Sequence, residues 1–120
     1  MPSLREYLAR FLTIPGVRAA VLVGRDGLLI DATGRGDQRL FEALGALAAS
    51  ALGTTDALAQ ELSVGATIGT ILEYEAGLVA VDPLGEHAAL VTLSENAASL
   101  GSVRHTLYAV RDDVLRTLDG

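Results

Sequence analysis

From Arg39 to Leu62 the chain reads RLFEALGALAASALGTTDALAQEL, and its apolar residues fall in place for a helix turning ~100° per residue. Leu40, Leu44, Leu47, Ala51, Leu58 and Leu62 form one stripe, as expected of a helix lying on a core. Ala43, Ala46, Ser50, Gly53 and Ala57 follow along one flank, spaced three and four apart, and Phe41, Ala48, Leu52 and Ala59 along the other. Only Glu42, Gly45, Ala49, Asp56 and Gln60 are left to face away, and two of these are Gly and Ala. Such a helix calls for more cover than one core surface provides.

The flanking patterns supply the rest of an α/β domain. Ser3 opens a short helix to about Leu12, with Leu4, Tyr7, Leu8, Phe11 and Leu12 on one side, and Pro15-Gly16 stops it. In VRAAVLVGRDGLLIDAT an apolar run at Ala19 to Val23 meets a tight turn at Asp26-Gly27 and a second run from Leu28. Asp-Gly between apolar runs predicts a hairpin, because both residues tolerate positive φ. Gly34 to Asp37 reads as a loop, with Asp37 placed to cap the long helix. After Ser63 the period changes to that of three strands, about Thr67 to Tyr74, Leu78 to Val81 and Ala88 to Leu93. Short turns at Glu75-Ala76-Gly77 and through Asp82 to His87 make them an antiparallel meander. A last helix runs from about Asn96 to Leu118, with Leu100, Val103, Leu107, Val110, Val114 and Leu118 inward and Gly120 beyond its end.

The run Leu78-Val79-Ala80-Val81 does not alternate, so its strand is buried on both faces and helices must cover both sides of the sheet. A three-layer α/β/α sandwich satisfies that requirement. A chain of 120 residues fits one domain, 1–120, that buries roughly two thirds of the surface its unfolded form exposes.

Composition narrows the chemistry. Cysteine is absent, which removes disulfides, thiolate metal sites and a Cys nucleophile. Fifteen acidic residues stand against nine basic ones, all Arg and scattered, for a net charge of −6. Nucleic acid requires a positive stripe to replace counterions, and an anionic lipid surface repels an acidic face. The opening MPSLREYLARFL lacks the basic-then-apolar order of a signal peptide, and no run approaches the ~20 apolar residues of a membrane span. The expectation is a cytoplasmic chain that binds no nucleic acid and inserts in no membrane.

A catalytic centre finds no support. His87 falls in a turn and His105 off the buried stripe of its helix, and neither has a nearby Ser with an orienting carboxylate. Glu73 to Glu75 ends a strand, and Asp112 and Asp113 diverge by ~100° on a helix, so both read as solvated charge. Gly24 and Gly27 belong to a hairpin, and Gly34-Arg35-Gly36 lacks the third glycine of a dinucleotide fingerprint. GATIGT is followed by no Lys, and the chain contains none, which rules out a P-loop. No enzyme, metal or cofactor is expected. The unspent feature is TIGTIL, Thr67 to Leu72, which lacks the charge or Pro that protects an edge strand. It is either an interior strand or an edge that something pairs with.

IPGVRAAVLVGRDGLLIDATG at Ile14 to Gly34, ILEYEAGLVAVDPLGEHAALVTL at Ile71 to Leu93 and NAASLGSVRHTLYAVRDDV at Asn96 to Val114, in this order, resemble the Roadblock/dynein light chain family. The resemblance covers nearly the whole chain. It implies a five-stranded antiparallel sheet of order 2-1-5-4-3 between the middle helix and the two terminal helices. It further implies a homodimer, or a pair with a related domain, formed through the middle helix, at Ala43, Ala46, Ser50, Gly53 and Ala57, and through the third strand, at Thr67, Gly69 and Ile71.

Bacterial and archaeal members of that family often work beside a Ras-like small GTPase, and the chain resembles the gliding motility regulators among them. Those bind their GTPase asymmetrically as a dimer and reshape its switch regions instead of inserting an Arg; Arg25, Arg35 and Arg39 nevertheless lie in or beside loops. The expected partner face is the thin side of the middle helix, Glu42, Gly45, Ala49, Leu52 and Asp56, two copies of which would form a shallow apolar patch with acidic edges. Alternatives are a pure scaffold or adaptor subunit without effect on nucleotide turnover, and a small-ligand sensor, for which the strands offer few inner polar groups.

Overall fold

The computed structural model describes residues 2–119, so Gly120, expected past the last helix, lies outside them. Ser3 caps α1 (Leu4–Phe11) reciprocally: its hydroxyl accepts from the Glu6 amide, and the Glu6 carboxylate accepts from the Ser3 amide. Tyr7, Leu8 and Phe11 make its buried side.

Strands β1 (Val17–Gly24) and β2 (Leu29–Gly34) form the hairpin. Gly27 takes φ +89°, and the Asp26 carboxylate accepts from the Leu28 amide, so the Asp-Gly pair makes the turn its chemistry favours. Leu22 faces Asp31 and Val23 faces Leu29, which leaves Ile30 as the extra residue of a bulge. Asp37 caps α2 (Gln38–Leu62) by accepting from the Leu40 amide.

Strands β3 (Thr70–Tyr74), β4 (Gly77–Leu84) and β5 (Ala88–Ser94) follow as a meander, then a 3-10 turn at Ala97–Ser99 and α3 (Leu100–Asp119). The sheet is antiparallel throughout, in the order β2-β1-β5-β4-β3. Val21, Val23, Val79, Val81 and Val91 meet α2 on one face. Ala20, Leu22, Leu84 and Leu90 meet α1 and α3 on the other. Each fully buried large side chain contributes about 1.5–3 kcal/mol, and both faces of the central strands contribute, which makes β1, β5 and β4 the rigid floor under every surface feature.

Two expected boundaries shift. The strand expected from Thr67 begins at Thr70, and the strand expected to end at Val81 continues through Asp82 and Pro83, which pair with Leu90 and Ala89. Pro83 is tolerated because β3 has already ended there: its pairing with β4 stops at Thr70 and Val81, so no ladder needs the missing N–H. Leu100 and Leu118, expected inward on α3, are half-buried.

Candidate functional site

α2 lies on the sheet through Leu44, Gly45, Ala48 and Leu52. That face is rotated by roughly 80° from the leucine stripe of the sequence pattern, at ~100° per residue. Two members of the expected partner face are thereby corrected. Leu52 is 2% exposed and belongs to the core. Gly45 is buried against the hairpin turn, where a Cβ would come within 2.7 Å of the Gly27 carbonyl oxygen and 3.1 Å of Val23. Small size at Gly45 therefore serves the close approach of α2 to its own β1–β2 turn. Glu42 is exposed, and Ala49 and Asp56 are half-buried.

What faces solvent on α2 is the strip Ala43, Ala46, Ser50, Gly53 and Ala57. A Cβ on Gly53 would meet nothing within 4 Å, so the protomer itself does not require a glycine there. Beside the strip, Leu58 and Leu62, read from the pattern as core-facing, are 56% and 59% exposed, and the loop after the helix adds Val64 at 70% and Ile68 at 77%. Next to it runs β3, an edge strand that pairs with β4; Leu72 faces the α2 side with Val79, while the exposed Ile71, opposite Ala80, points to the other face of the sheet. Val64 has no periodicity to mark it in the sequence, and Ile68, part of the TIGTIL stretch expected as a strand, lies in the loop before β3.

An ionic tie on α2 reaches the loop between α2 and β3, and a second ion pair lies beneath it. Arg25 Nη1, from the hairpin turn, is 2.6 Å from Asp56 Oδ2, and the Thr67 hydroxyl donates to the other Asp56 oxygen at 2.8 Å. These bonds, first from Thr67 and then from Arg25, lower the Asp56 pKa below the ordinary carboxylate value. One carboxylate thus joins the hairpin, the helix and the loop, and Arg25 is engaged rather than free.

Gly69 lies over the second tie. Its missing side chain leaves room for Arg104 Nη2, 3.7 Å from Asp82 Oδ1, since a Cβ there would sit 2.9 Å from both groups. Thr67 and Gly69, expected to pair along the edge, thus precede the strand and serve these two contacts.

Asp82 is 3% exposed, and burial raises its pKa although Arg104 pulls the other way. A raised folded pKa means that the folded chain keeps the proton longer than the unfolded one. The stability this contributes is complete below the unfolded value and is lost as pH rises through the folded value. Asp82→Asn, never charged, should remove that loss. In urea unfolding between about pH 4 and pH 7, around and above the ordinary Asp value, the wild type should lose more stability than the variant, and parallel profiles would contradict the assignment.

No helix among the described residues is long and apolar enough to cross a membrane. His87 and His105 are both exposed, the first in the β4–β5 turn and the second on α3.

A family model for the Roadblock/LC7 domain matches residues 4–94. The uncharacterized protein MJ0310 of Methanocaldococcus jannaschii is 31% identical over 99 residues, 82% of this chain and 85% of that protein. Among solved structures, a Roadblock/LC7 domain from Streptomyces avermitilis superposes with a TM-score of 0.90 at 19% identity, covering 99% of this chain and 100% of that one, which shows the fold. The gliding protein MglB from Thermus thermophilus superposes with a TM-score of 0.82 at 27% identity, over 94% of this chain and 86% of that one.

Proposed function

We propose, because this chain belongs to the Roadblock/LC7 domain family, that it is a non-catalytic, homodimeric regulator of a Ras-like small GTPase, acting in the cytoplasm as one domain. The observation that carries this reading is the outward apolar surface of α2 and the following loop, beside the open edge of β3. Glycine inside a helix costs about 1 kcal/mol relative to alanine, yet Gly53 has no protomer contact that requires it. A second helix approaching the strip Ala43, Ala46, Ser50, Gly53 and Ala57 gives that cost a purpose, while Leu58, Leu62, Val64 and Ile68 gain cover they lack in the protomer. β3 is positioned at Ile71 to extend the sheet with its copy.

The GTPase sits over the twofold axis, one per dimer, against the members of the expected partner set that keep solvent access: Glu42, Ala49 and Asp56. Preferential binding of the active switch conformation shifts its population by the difference in affinity between the two states. Hydrolysis then rises through positioning of the GTPase's own water-orienting group. Arg25, held by Asp56, is not poised for insertion.

The test is titration of the cognate GTPase, loaded with a GTP analogue or with GDP. Two chains should bind per GTPase, more tightly in the GTP-analogue form, and Arg25→Ala, Arg35→Ala and Arg39→Ala should each retain any rate increase. Equal or absent binding to the two forms would leave only a scaffold, and loss of rate with binding retained in one Arg variant would assign the effect to an inserted Arg.

A further inference from the structure

A groove of about 580 Å³ opens at the end of the α1/α3 layer, away from the outward face of α2 and from β3. Its floor is Leu84 and Ala88, where β4 gives way to β5, and one wall is Leu115 and Leu118 on the last turns of α3. Ile30 makes the opposite wall. That residue is the unpaired member of the β2 bulge and is 43% exposed. A bulge is a device for re-aiming a side chain, and in this one the re-aimed residue is a large aliphatic lining an open cavity.

The walls are fastened independently of any occupant. Arg5 on α1 is 2.6 Å from the carboxylate of Asp31, the residue beside Ile30. Arg111 donates to the Pro83 carbonyl at 3.1 Å, holding α3 to the end of β4. Gly85 approaches α3 so closely that a Cβ on it would lie 3.2 Å from Leu115 Cδ2. A groove held open in this way binds without first ordering its walls, which removes a cost that otherwise consumes much of the gain from burial.

Charge selects the occupant. The charged residues among those described as lining the groove are Glu86 and Asp119, both acidic. The arginines of this end of the molecule are already engaged: Arg5 with Asp31, Arg111 with Pro83, Arg116 with Asp113 and Arg25 with Asp56. An aliphatic acid would bring a carboxylate against two others. A second copy docked through the same groove would set Glu86 and Asp119 against their own equivalents.

We propose that this groove docks a basic amphipathic segment of another protein, with leucine-like side chains seated between Ile30, Leu115 and Leu118 and Arg or Lys reaching Glu86 and Asp119. The mode is that of a helix laid in an apolar groove. Because it uses neither the outward face of α2 nor β3, it is compatible with dimerisation and stands or falls separately from it.

The probe is a synthetic helical peptide with leucine at i, i+3, i+4 and i+7 and arginine on its polar face, compared with a twin carrying glutamate in place of arginine. In methyl NMR the basic peptide should shift Ile30, Leu115 and Leu118, and the acidic twin should not. The double variant Glu86→Lys, Asp119→Lys should weaken binding about tenfold, as expected for reversing two rim charges. Glu73→Lys, Glu75→Lys, the same change in net charge at the far end of the sheet, should leave affinity close to wild type, and Ile30→Ala should weaken binding without altering the rim. Equal binding of the two peptides, equal loss in the two charge variants, or shifts confined to α2 and β3 would each overturn the proposal. Circular dichroism melting of every variant separates loss of binding from loss of fold.

Discussion

Ser50→Arg is expected to give folded monomers where the wild type gives dimers. Ser50 is exposed in the middle of the small-residue strip, with Ala46 and Gly53 on the adjacent turns, and is not itself part of the protomer core. Arginine is a good helix former, so α2 loses nothing locally. At a helix–helix seam the same side chain brings a charge that has no counterion and volume that two approaching backbones cannot absorb. An unpaired buried charge costs about 3 kcal/mol or more, roughly a 150-fold rise in the dissociation constant. Light scattering across micromolar concentrations reads the change directly, with circular dichroism confirming the fold. A dimer that survives Ser50→Arg would move the interface off α2, and a monomeric wild type would remove it altogether.

Gly45→Leu should do the opposite kind of damage. Its side chain would begin 2.7 Å from the Gly27 carbonyl oxygen, a backbone atom of a turn fixed on both sides by strands, so α2 would have to lift from β1. Overpacking of this sort costs about 1–3 kcal/mol and occasionally more, a fall in Tm of roughly 5 °C for each kcal/mol in a domain of this size. Ala46→Leu, one residue further and exposed, should leave the melting of the protomer unchanged. If Gly45→Leu melts like the wild type, the hairpin turn does not support α2 as described.

The contrast between these neighbours shows where sequence reading works and where it stops. Caps and turns were legible because their chemistry is local: Ser3, Asp37 and Asp26-Gly27 act on residues two or three positions away. The buried strands were legible because an unbroken apolar run has few other uses. The orientation of α2 was not, since a helix with apolar residues on most sides has no single preferred face. The heavier leucines suggested one, but the close approach at Gly45 and Ala48 decided for another and left Leu58 and Leu62 outside.

Asp82-Pro83 looked like a turn for an equally physical reason. Both residues favour turns, and the cation that accompanies Asp82 in the interior comes from α3, at Arg104, far along the chain. The Arg25, Asp56 and Thr67 tie likewise joins three segments that nothing in the local pattern connects.

The bulge at Ile30 has a bearing on assembly size. A sheet with two open edges is a building block that polymerises: if β3 joins its copy, each β2 becomes the end of a longer sheet able to recruit the next pair. The extra residue breaks the even spacing of edge N–H and C=O groups that an incoming strand would need, and Asp31, pinned by Arg5, sets a charge beside it. With β3 joined to its copy as proposed, the other margin is blunted, and growth would terminate at a closed pair instead of running on into a filament.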